Sequence, residues 1–206
     1  MADRGRDDLS RLADVRGLQV KQQVERLEMW LGIEQRNHYT VRSSDEMNLY
    51  FVEEESPFWV RFLLRAMRPL TLNFTYGGPV LLRLRKPFRF FFDAAELFDA
   101  AGRKLGSIER EFSLIVRTYS VRDARGTEIY SISGAFWRPW TFKITRGGQD
   151  VAEIKKRWRG LLREALTDAD KFEMTFPAGA NPSQKALLMA AMFLIDLSQF
   201  EDNQKR

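Results

Sequence analysis

Between residues 39 and 176 the chain alternates apolar and polar positions with a period of two. The clearest run places Leu70, Leu72, Phe74 and Tyr76 between polar neighbours. Three further runs of this kind are Tyr39–Arg42, Phe112–Arg117 and Phe142–Thr145. Alternation over short runs predicts β-strands that bury one face.

Glycine-containing turn sequences separate these runs. They are Gly77–Pro79, Asp99–Gly102, Asp123–Gly126 and Gly147–Gly148. The last three each introduce another strand-like run, at Arg103–Ile108, Thr127–Ile132 and Gln149–Ile154. Hairpin therefore follows hairpin, and about twelve strands are predicted in all. Closing such an antiparallel sheet into a barrel would remove its unpaired edges.

Helical patterns flank the strand region. Leu18 and Val20 alternate with polar residues, but Val20, Val24, Leu27 and Leu31 recur at helical spacing. We therefore expect a short strand and then a short N-terminal helix that ends near Leu31. Residues 1–16 hold four Arg and four Asp with few large apolar side chains, which predicts a solvated leader before a single domain at 17–206.

The second helical pattern follows Ser183, a suitable N-cap, and is apolar on every side from residue 186 to residue 195. Its characteristic residues are Leu187, Leu188, Met192, Phe193 and Ile195, and Asp196 follows them. Ten residues of helix cover roughly 15 Å, less than the roughly 20 residues that a bilayer requires. A buried core helix is favoured over a membrane span. The predicted fold class is mainly β (α+β), a closed antiparallel barrel around this C-terminal helix.

Composition narrows the chemistry. The 206 residues include no cysteine and one histidine, His38, which excludes disulfides, thiolate metal sites and cysteine nucleophiles. Enzyme motifs such as Gly-x-Ser-x-Gly or a phosphate-binding loop are absent from the sequence, so covalent catalysis is not expected. The net charge of +5 favours anionic partners. The first residues lack the apolar core of a signal peptide, so we expect a cytoplasmic protein.

Aromatic and basic residues are concentrated between Ser56 and Phe92, where no Asp or Glu occurs. The candidate lipid-binding residues in this stretch are Phe58, Trp59, Arg61, Arg65, Arg68, Arg83, Arg85, Lys86, Arg89, Phe90, Phe91 and Phe92. A later aromatic stretch adds Trp137 and Trp140. Aromatic rings settle at lipid headgroups and guanidinium groups pair with phosphates, so these residues suit a membrane surface. Alternatively, the aromatic residues fill the barrel and the arginines solvate its outside.

Several segments resemble the phospholipid scramblase family. They are Gln22–Glu28, Trp158–Phe172, Thr175–Pro177, Phe193–Asp196 and Phe200–Glu201, within a similarity that covers about residues 17–201. The resemblance implies a tubby-like barrel of twelve strands around a C-terminal helix. It also implies non-covalent movement of phospholipids between leaflets, usually with calcium, and signalling at membranes.

This chain departs from the animal pattern in its calcium segment and in its anchor. The resemblance places a calcium-binding loop at Asp168–Gly179, in which Asp168 and Asp170 are present but the closing acidic residue is replaced by Gly179. Calcium takes six to eight oxygen ligands, so we expect a weak site or, alternatively, a turn in which the two carboxylates bond local amides. Animal members carry palmitoylated cysteines, and here the aromatic and basic stretches are expected to replace those anchors.

Two further features leave alternatives open. The basic run Lys155, Lys156, Arg157 and Arg159 corresponds by resemblance to a nuclear import signal or a phosphoinositide headgroup site, but it also fits a solvated strand end. Asp196 is expected near the helix end, where a donor lining the barrel or solvent satisfies it, or else it assists headgroup passage.

The sequence therefore predicts a scramblase-like phospholipid-binding protein, associated peripherally with the inner face of an anionic membrane. The alternative is a lipid- or phosphoinositide-binding signalling scaffold that does not scramble. A nucleic-acid-binding function through the basic run ranks last, because 28 acidic residues are spread along the chain. Homo-oligomerisation stays open.

Overall fold

The computed structural model describes residues 9–23, 38–55, 69–87, 93–113, 116–135, 137–138, 140–157 and 171–204. These ranges contain twelve strands and one long helix. The strands are β1 Gly17–Gln23, β2 His38–Ser43, β3 Asn48–Glu55, β4 Leu70–Thr75, β5 Val80–Lys86, β6 Ala94–Asp99, β7 Lys104–Glu111, β8 Val116–Asp123, β9 Glu128–Ala135, β10 Thr141–Arg146, β11 Gln149–Arg157 and β12 Lys171–Thr175. The helix is α1, Pro182–Gln204.

Each strand pairs antiparallel with its neighbours along the chain, and β1 pairs with β12 to close the barrel. The closing register sets Gly17 opposite Thr175 and Leu18 opposite Met174. The predicted closed barrel of about twelve strands is confirmed. The strand predicted around Leu18 is β1, whereas the helix predicted to end near Leu31 lies outside the described residues.

The apolar positions of the alternating runs are buried in the barrel, as the sequence predicts for a sheet with one buried face. In β4, Leu70, Leu72 and Phe74 are buried and the intervening residues are half-buried. The prediction is wrong at Phe112, which is 71% exposed and lies beyond the end of β7. The next strand begins only at Val116, so the alternation there crosses a connection between strands.

The barrel surrounds the apolar part of α1. Residues 186–195 are each no more than 2% exposed. The ring of Phe193 packs edge-on against Tyr39 of β2 and Phe74 of β4, with ring centroids 5.2 Å apart in both pairs. The side chain of Leu187 lies against Gly106 of β7, and β2 and β7 stand five places apart in the ring of twelve strands. Contacts on both sides of the ring confirm the buried helix.

Among the residues that the structure describes, none of the helices has both the length and the apolar character needed to cross a membrane.

The segment before β1 is partly built into the core. Leu12 and Val15 are buried, although residues 1–16 are predicted to be a solvated leader. The Lys185 Nζ atom donates to the backbone oxygens of Leu12, Ala13 and Val15 at 2.9, 2.7 and 2.8 Å, which fixes this segment to the start of α1. The solvated-leader expectation therefore does not hold for residues 9–16 as a whole. Two isolated apolar residues in a charged stretch give no periodic signal, and the domain boundary at residue 17 stays a prediction.

Candidate functional site

The two ends of the barrel differ in their connections. Because successive strands run antiparallel, the connections alternate between the ends. One end, here called the hairpin end, carries the short connections 44–47, 76–79, 100–103, 124–127 and 147–148. The other, here called the long-loop end, carries 24–37, 56–69, 87–93, 112–115, 136–140 and 158–170. Most of the candidate residues from the sequence belong to segments that join strands at the long-loop end.

Part of the predicted site lies outside the described residues. These positions are Phe58, Trp59, Arg61, Arg65, Arg68, Arg89, Phe90, Phe91, Phe92, Arg159, Asp168 and Asp170. Arg157 ends β11, but its side chain is also outside the description. Their roles stay predictions.

The three candidates on β5 do not share a face. Arg83 and Arg85 point outward, whereas Lys86 follows the buried Leu84 by two residues and points inward. The Lys86 side chain is 3% exposed, and its Nζ atom lies 2.9 Å from Oδ1 of Asp93. Lys86 is therefore not on the outer surface with the two arginines, because strand periodicity places it inside the barrel.

Asp93 collects donors from three elements just inside the long-loop end. Besides the contact with Lys86 from β5, its Oδ2 atom accepts a 2.7 Å hydrogen bond from Ser198 Oγ of α1. The Arg110 Nη1 atom of β7 lies 3.9 Å from the same oxygen. One carboxylate therefore joins two strands to the far part of the helix.

A second carboxylate on the helix is paired in the same way. The Lys156 Nζ atom of β11 lies 3.1 Å from Asp196 Oδ1, and the two side chains are 8% and 20% exposed. The ammonium group also lies 4.8 Å from the ring centroid of Phe172 and 5.3 Å from that of Trp140. The prediction that a donor lining the barrel satisfies Asp196 is confirmed. Lys156 is thus absent from the solvated face on which its neighbour Lys155 lies exposed.

Strand β8 adds a buried guanidinium and a buried phenol. The Arg117 guanidinium lies 5.1 Å from the ring centroid of Phe142, and Arg117 is buried. Burial raises the pKa of Tyr119 to about 12, against the opposing effect of the nearby Arg110 and Arg117 charges. We call the inward-facing set Lys86, Asp93, Arg110, Arg117, Lys156 and Asp196 the ionic layer.

Sequence reasoning predicts a partner for Asp196 but misses the ionic layer as a set, although a signal for it exists. Arg110 follows the buried Ile108 by two residues, and Lys156 follows the buried Ile154 in the same phase. Charged residues that continue the apolar face of a strand mark the point where the interior becomes polar.

Two exposed aromatic residues lie at the long-loop end. Phe112 and Trp137 are each 71% exposed, the highest values among the large apolar side chains that the structure describes. Phe112 follows β7 and Trp137 follows β9. Trp137 and the half-buried Trp140 are candidates from the sequence, whereas Phe112 is missed because the pattern assigns it to a strand.

The described ranges contain no group of three or more His, Cys, Asp or Glu residues that could hold a metal ion. The predicted calcium ligands Asp168 and Asp170 lie outside those ranges, so calcium binding stays a prediction.

Comparison with known proteins gives a consistent result. The family model described as Scramblase matches residues 4–202. Human phospholipid scramblase 2 is 28% identical over 94% of this chain and 70% of its own length, and human phospholipid scramblase 1 is 27% identical over 94% and 65%. Human phospholipid scramblase family member 5 is 26% identical over 88% and 73%. The chain thus spans roughly two thirds of the length of these relatives. No solved structure matches significantly.

Proposed function

The chain belongs to the scramblase family, and on that premise we propose that it binds phospholipids and moves them between membrane leaflets without covalent chemistry. The family match over residues 4–202 is the observation that carries this proposal, because it takes in the whole barrel and nearly all of α1. The names of the relatives refer to phospholipid scrambling.

The long-loop end supplies the chemistry for lipid contact in this proposal. Tryptophan and phenylalanine rings settle at the headgroup boundary, and arginine pairs with phosphate. Trp137 is exposed there, and Arg138 beside it is exposed as well. The aromatic and basic residues of segments 56–68 and 88–92 belong to the same proposal and would serve in place of acyl anchors.

A lipid headgroup needs a polar path through hydrocarbon. Within the described barrel, α1 fills the interior with apolar side chains from residue 186 to residue 195. We therefore place the headgroup path outside the barrel, along the surface at the long-loop end. The ionic layer then serves to seat α1 and is not part of the path.

The proposed location is the inner face of an anionic membrane, with peripheral attachment from the cytoplasm. The net charge of +5 favours such a surface. Calcium, if bound through Asp168 and Asp170, would act as a weak modulator.

The test is reconstitution into vesicles that contain fluorescent phospholipid in both leaflets. A membrane-impermeant reductant bleaches the outer leaflet, and further loss of fluorescence reports exchange. We expect exchange above that of protein-free vesicles, with and without calcium, while a trapped water-soluble dye stays inside as the control for leakage. Binding without exchange would contradict the proposal.

Binding without exchange would instead support a lipid- or phosphoinositide-binding scaffold. The described part of the basic run gives this alternative limited support, because Lys156 is paired inside the barrel. The same placement weakens a nucleic-acid-binding function, which requires exposed cations.

A further inference from the structure

The most exposed aromatic residues of the described chain lie close together. Phe112 directly follows Glu111, which pairs with Thr118 of β8, and Trp137 lies two residues after Ala135, which pairs with Val116 of β8. Paired strands lie about 4.8 Å apart, so both residues leave the barrel on either side of the same strand end, roughly 15 Å or less from each other. We call Phe112 and Trp137 the rim pair.

The outer wall of the barrel is unsuited to lipid. Outward-facing charges are paired with one another on neighbouring positions around the described strands. The pairs are Glu96 with Lys104, Arg122 with Glu128, Lys143 with Asp150, Glu153 with Lys155, and Lys171 with Glu173. Desolvating such pairs in hydrocarbon is costly, so the wall faces water.

At the hairpin end, the exposed apolar side chains are flanked by acids or covered by another residue. The most exposed of these, Met47, is 60% exposed but follows the exposed acids Asp45 and Glu46. The ring of Tyr76 is covered by Arg11, whose guanidinium carbon lies 3.2 Å from the ring centroid. Carboxylates beside Met47 would be repelled by anionic headgroups.

At the long-loop end, an exposed aromatic side chain lies beside an exposed cation in the sequence. Trp137 is followed by the exposed Arg138, whereas Phe112 follows the exposed Glu111. A cation beside an exposed indole suits a bilayer that contains anionic phospholipid.

We infer that the protein meets an anionic phospholipid bilayer end-on, with the rim pair entering the headgroup region and the barrel wall standing in water. This inference rests on the proposed phospholipid function and specifies the surface that carries it. The barrel axis is then directed towards the membrane, and the C-terminal part of α1, from Asp196 onward, is the part of the helix on the lipid side.

The test compares two matched double variants. F112S/W137S removes the rim pair, and M47S/F51S removes two exposed apolar side chains from the hairpin end and the wall. Both are measured by co-sedimentation with vesicles of phosphatidylcholine alone and of phosphatidylcholine mixed with phosphatidylserine. We expect F112S/W137S to lose about tenfold or more in affinity for the mixed vesicles, and M47S/F51S to bind like the wild type.

A second variant and a depth measurement keep the test independent of folding. Arg138→Glu should weaken binding to the mixed vesicles and leave binding to phosphatidylcholine alone unchanged. Lipids brominated near the headgroup should quench the wild-type tryptophan fluorescence more than that of Trp137→Phe. Circular dichroism and urea unfolding check that every variant is folded.

Four outcomes would overturn the inference. They are unchanged binding by folded F112S/W137S, equal losses in M47S/F51S, failure of the wild type to bind the mixed vesicles, and a rim-pair variant whose main effect is a change of oligomeric state by sedimentation. The lipid-exchange assay on protein inserted with detergent separates the two proposals. Exchange by the wild type together with unchanged binding of the rim variant would reject the docking surface and keep the proposed function.

Discussion

The ammonium group of Lys156 lies 3.1 Å from the carboxylate of Asp196, so that β11 and α1 are joined by opposite charges inside the barrel. Both side chains are mostly buried, and the pair lies beyond the ten apolar residues that fill the interior. The ion pair therefore opposes movement of α1 along its own axis, whereas the apolar contacts oppose lateral movement.

Removing one member of this pair should cost more than removing both. We expect Asp196→Ala to lower the free energy of unfolding by about 3 kcal/mol, because it leaves a largely buried ammonium group without this partner. The double variant K156M/D196A should recover most of that loss relative to the single variants K156M and D196A. Urea unfolding of the two single variants and the double variant gives the coupling energy, and additive losses would contradict the prediction.

Lys185 should prove necessary for docking the segment before β1. Lys185→Met leaves the backbone oxygens of Leu12, Ala13 and Val15 without the ammonium donor, and we expect a loss of about 2 kcal/mol. Limited proteolysis should then cut near residue 12 before the barrel is cut. Lys104→Met, at an exposed ion pair, is the control and should change neither measurement by much.

Alkaline pH should destabilise the protein through Tyr119. Burial raises the pKa of this phenol from 10.0 to about 12, so the unfolded chain loses the proton at a lower pH than the folded protein. The stabilisation is fully present below pH 10 and is lost as the pH rises towards 12, by up to about 3 kcal/mol. Urea unfolding across this range should show a shallower decline for Tyr119→Phe. A decline of equal steepness in both proteins would reject this assignment.

A methyl group at Gly106 should disturb the packing of α1 against β7. A Cβ atom there would lie 2.1 Å from the backbone oxygen of Arg122 and 2.9 Å from Cδ2 of Leu187. Since β8 cannot yield without breaking its pairing, we expect Gly106→Ala to cost about 2–3 kcal/mol in urea unfolding. Ser133→Ala, at a half-buried position of β9, should stay within about 0.5 kcal/mol of the wild type.

Calcium should bind weakly. With Asp168 and Asp170 as the carboxylates and no acidic residue at position 179, we expect a dissociation constant of about 1 mM or weaker by calorimetry. D168N/D170N should abolish the residual heat. Micromolar binding by the wild type would contradict the prediction.

Much of the fold can be predicted from the local pattern of apolar, polar and glycine positions. The alternation through Leu70, Leu72 and Phe74 identified β4, and the glycine turns at residues 102 and 126 located two hairpins. These features are accessible because strand periodicity and turn conformation depend on neighbouring residues. The apolar run that ends at Ile195 is too short to cross a bilayer, and this comparison of lengths favours a buried helix.

The candidate site was less accessible. The sequence pattern places Lys86 and Lys156 on an outer basic surface because charged residues are usually solvated, yet both side chains pair with carboxylates inside the barrel. Their partners Asp93 and Asp196 are remote or lie on another element, so no local pattern joins them. The pattern wrongly assigns Phe112 to a strand, because alternation does not show where a strand ends.

The closure between β1 and β12 also bears on how the protein is made. Gly17 meets Thr175 across the seam, and the helix that occupies the interior follows β12 in the chain. All twelve strands must therefore be synthesised before the ring can close, and α1 must follow them before the interior can be filled. Until then the inner faces of the strands are open to water and to other chains, and contacts of such long sequence separation form slowly. Chaperone demand and expression yield should thus respond to changes in α1 more sharply than equilibrium stability alone would suggest.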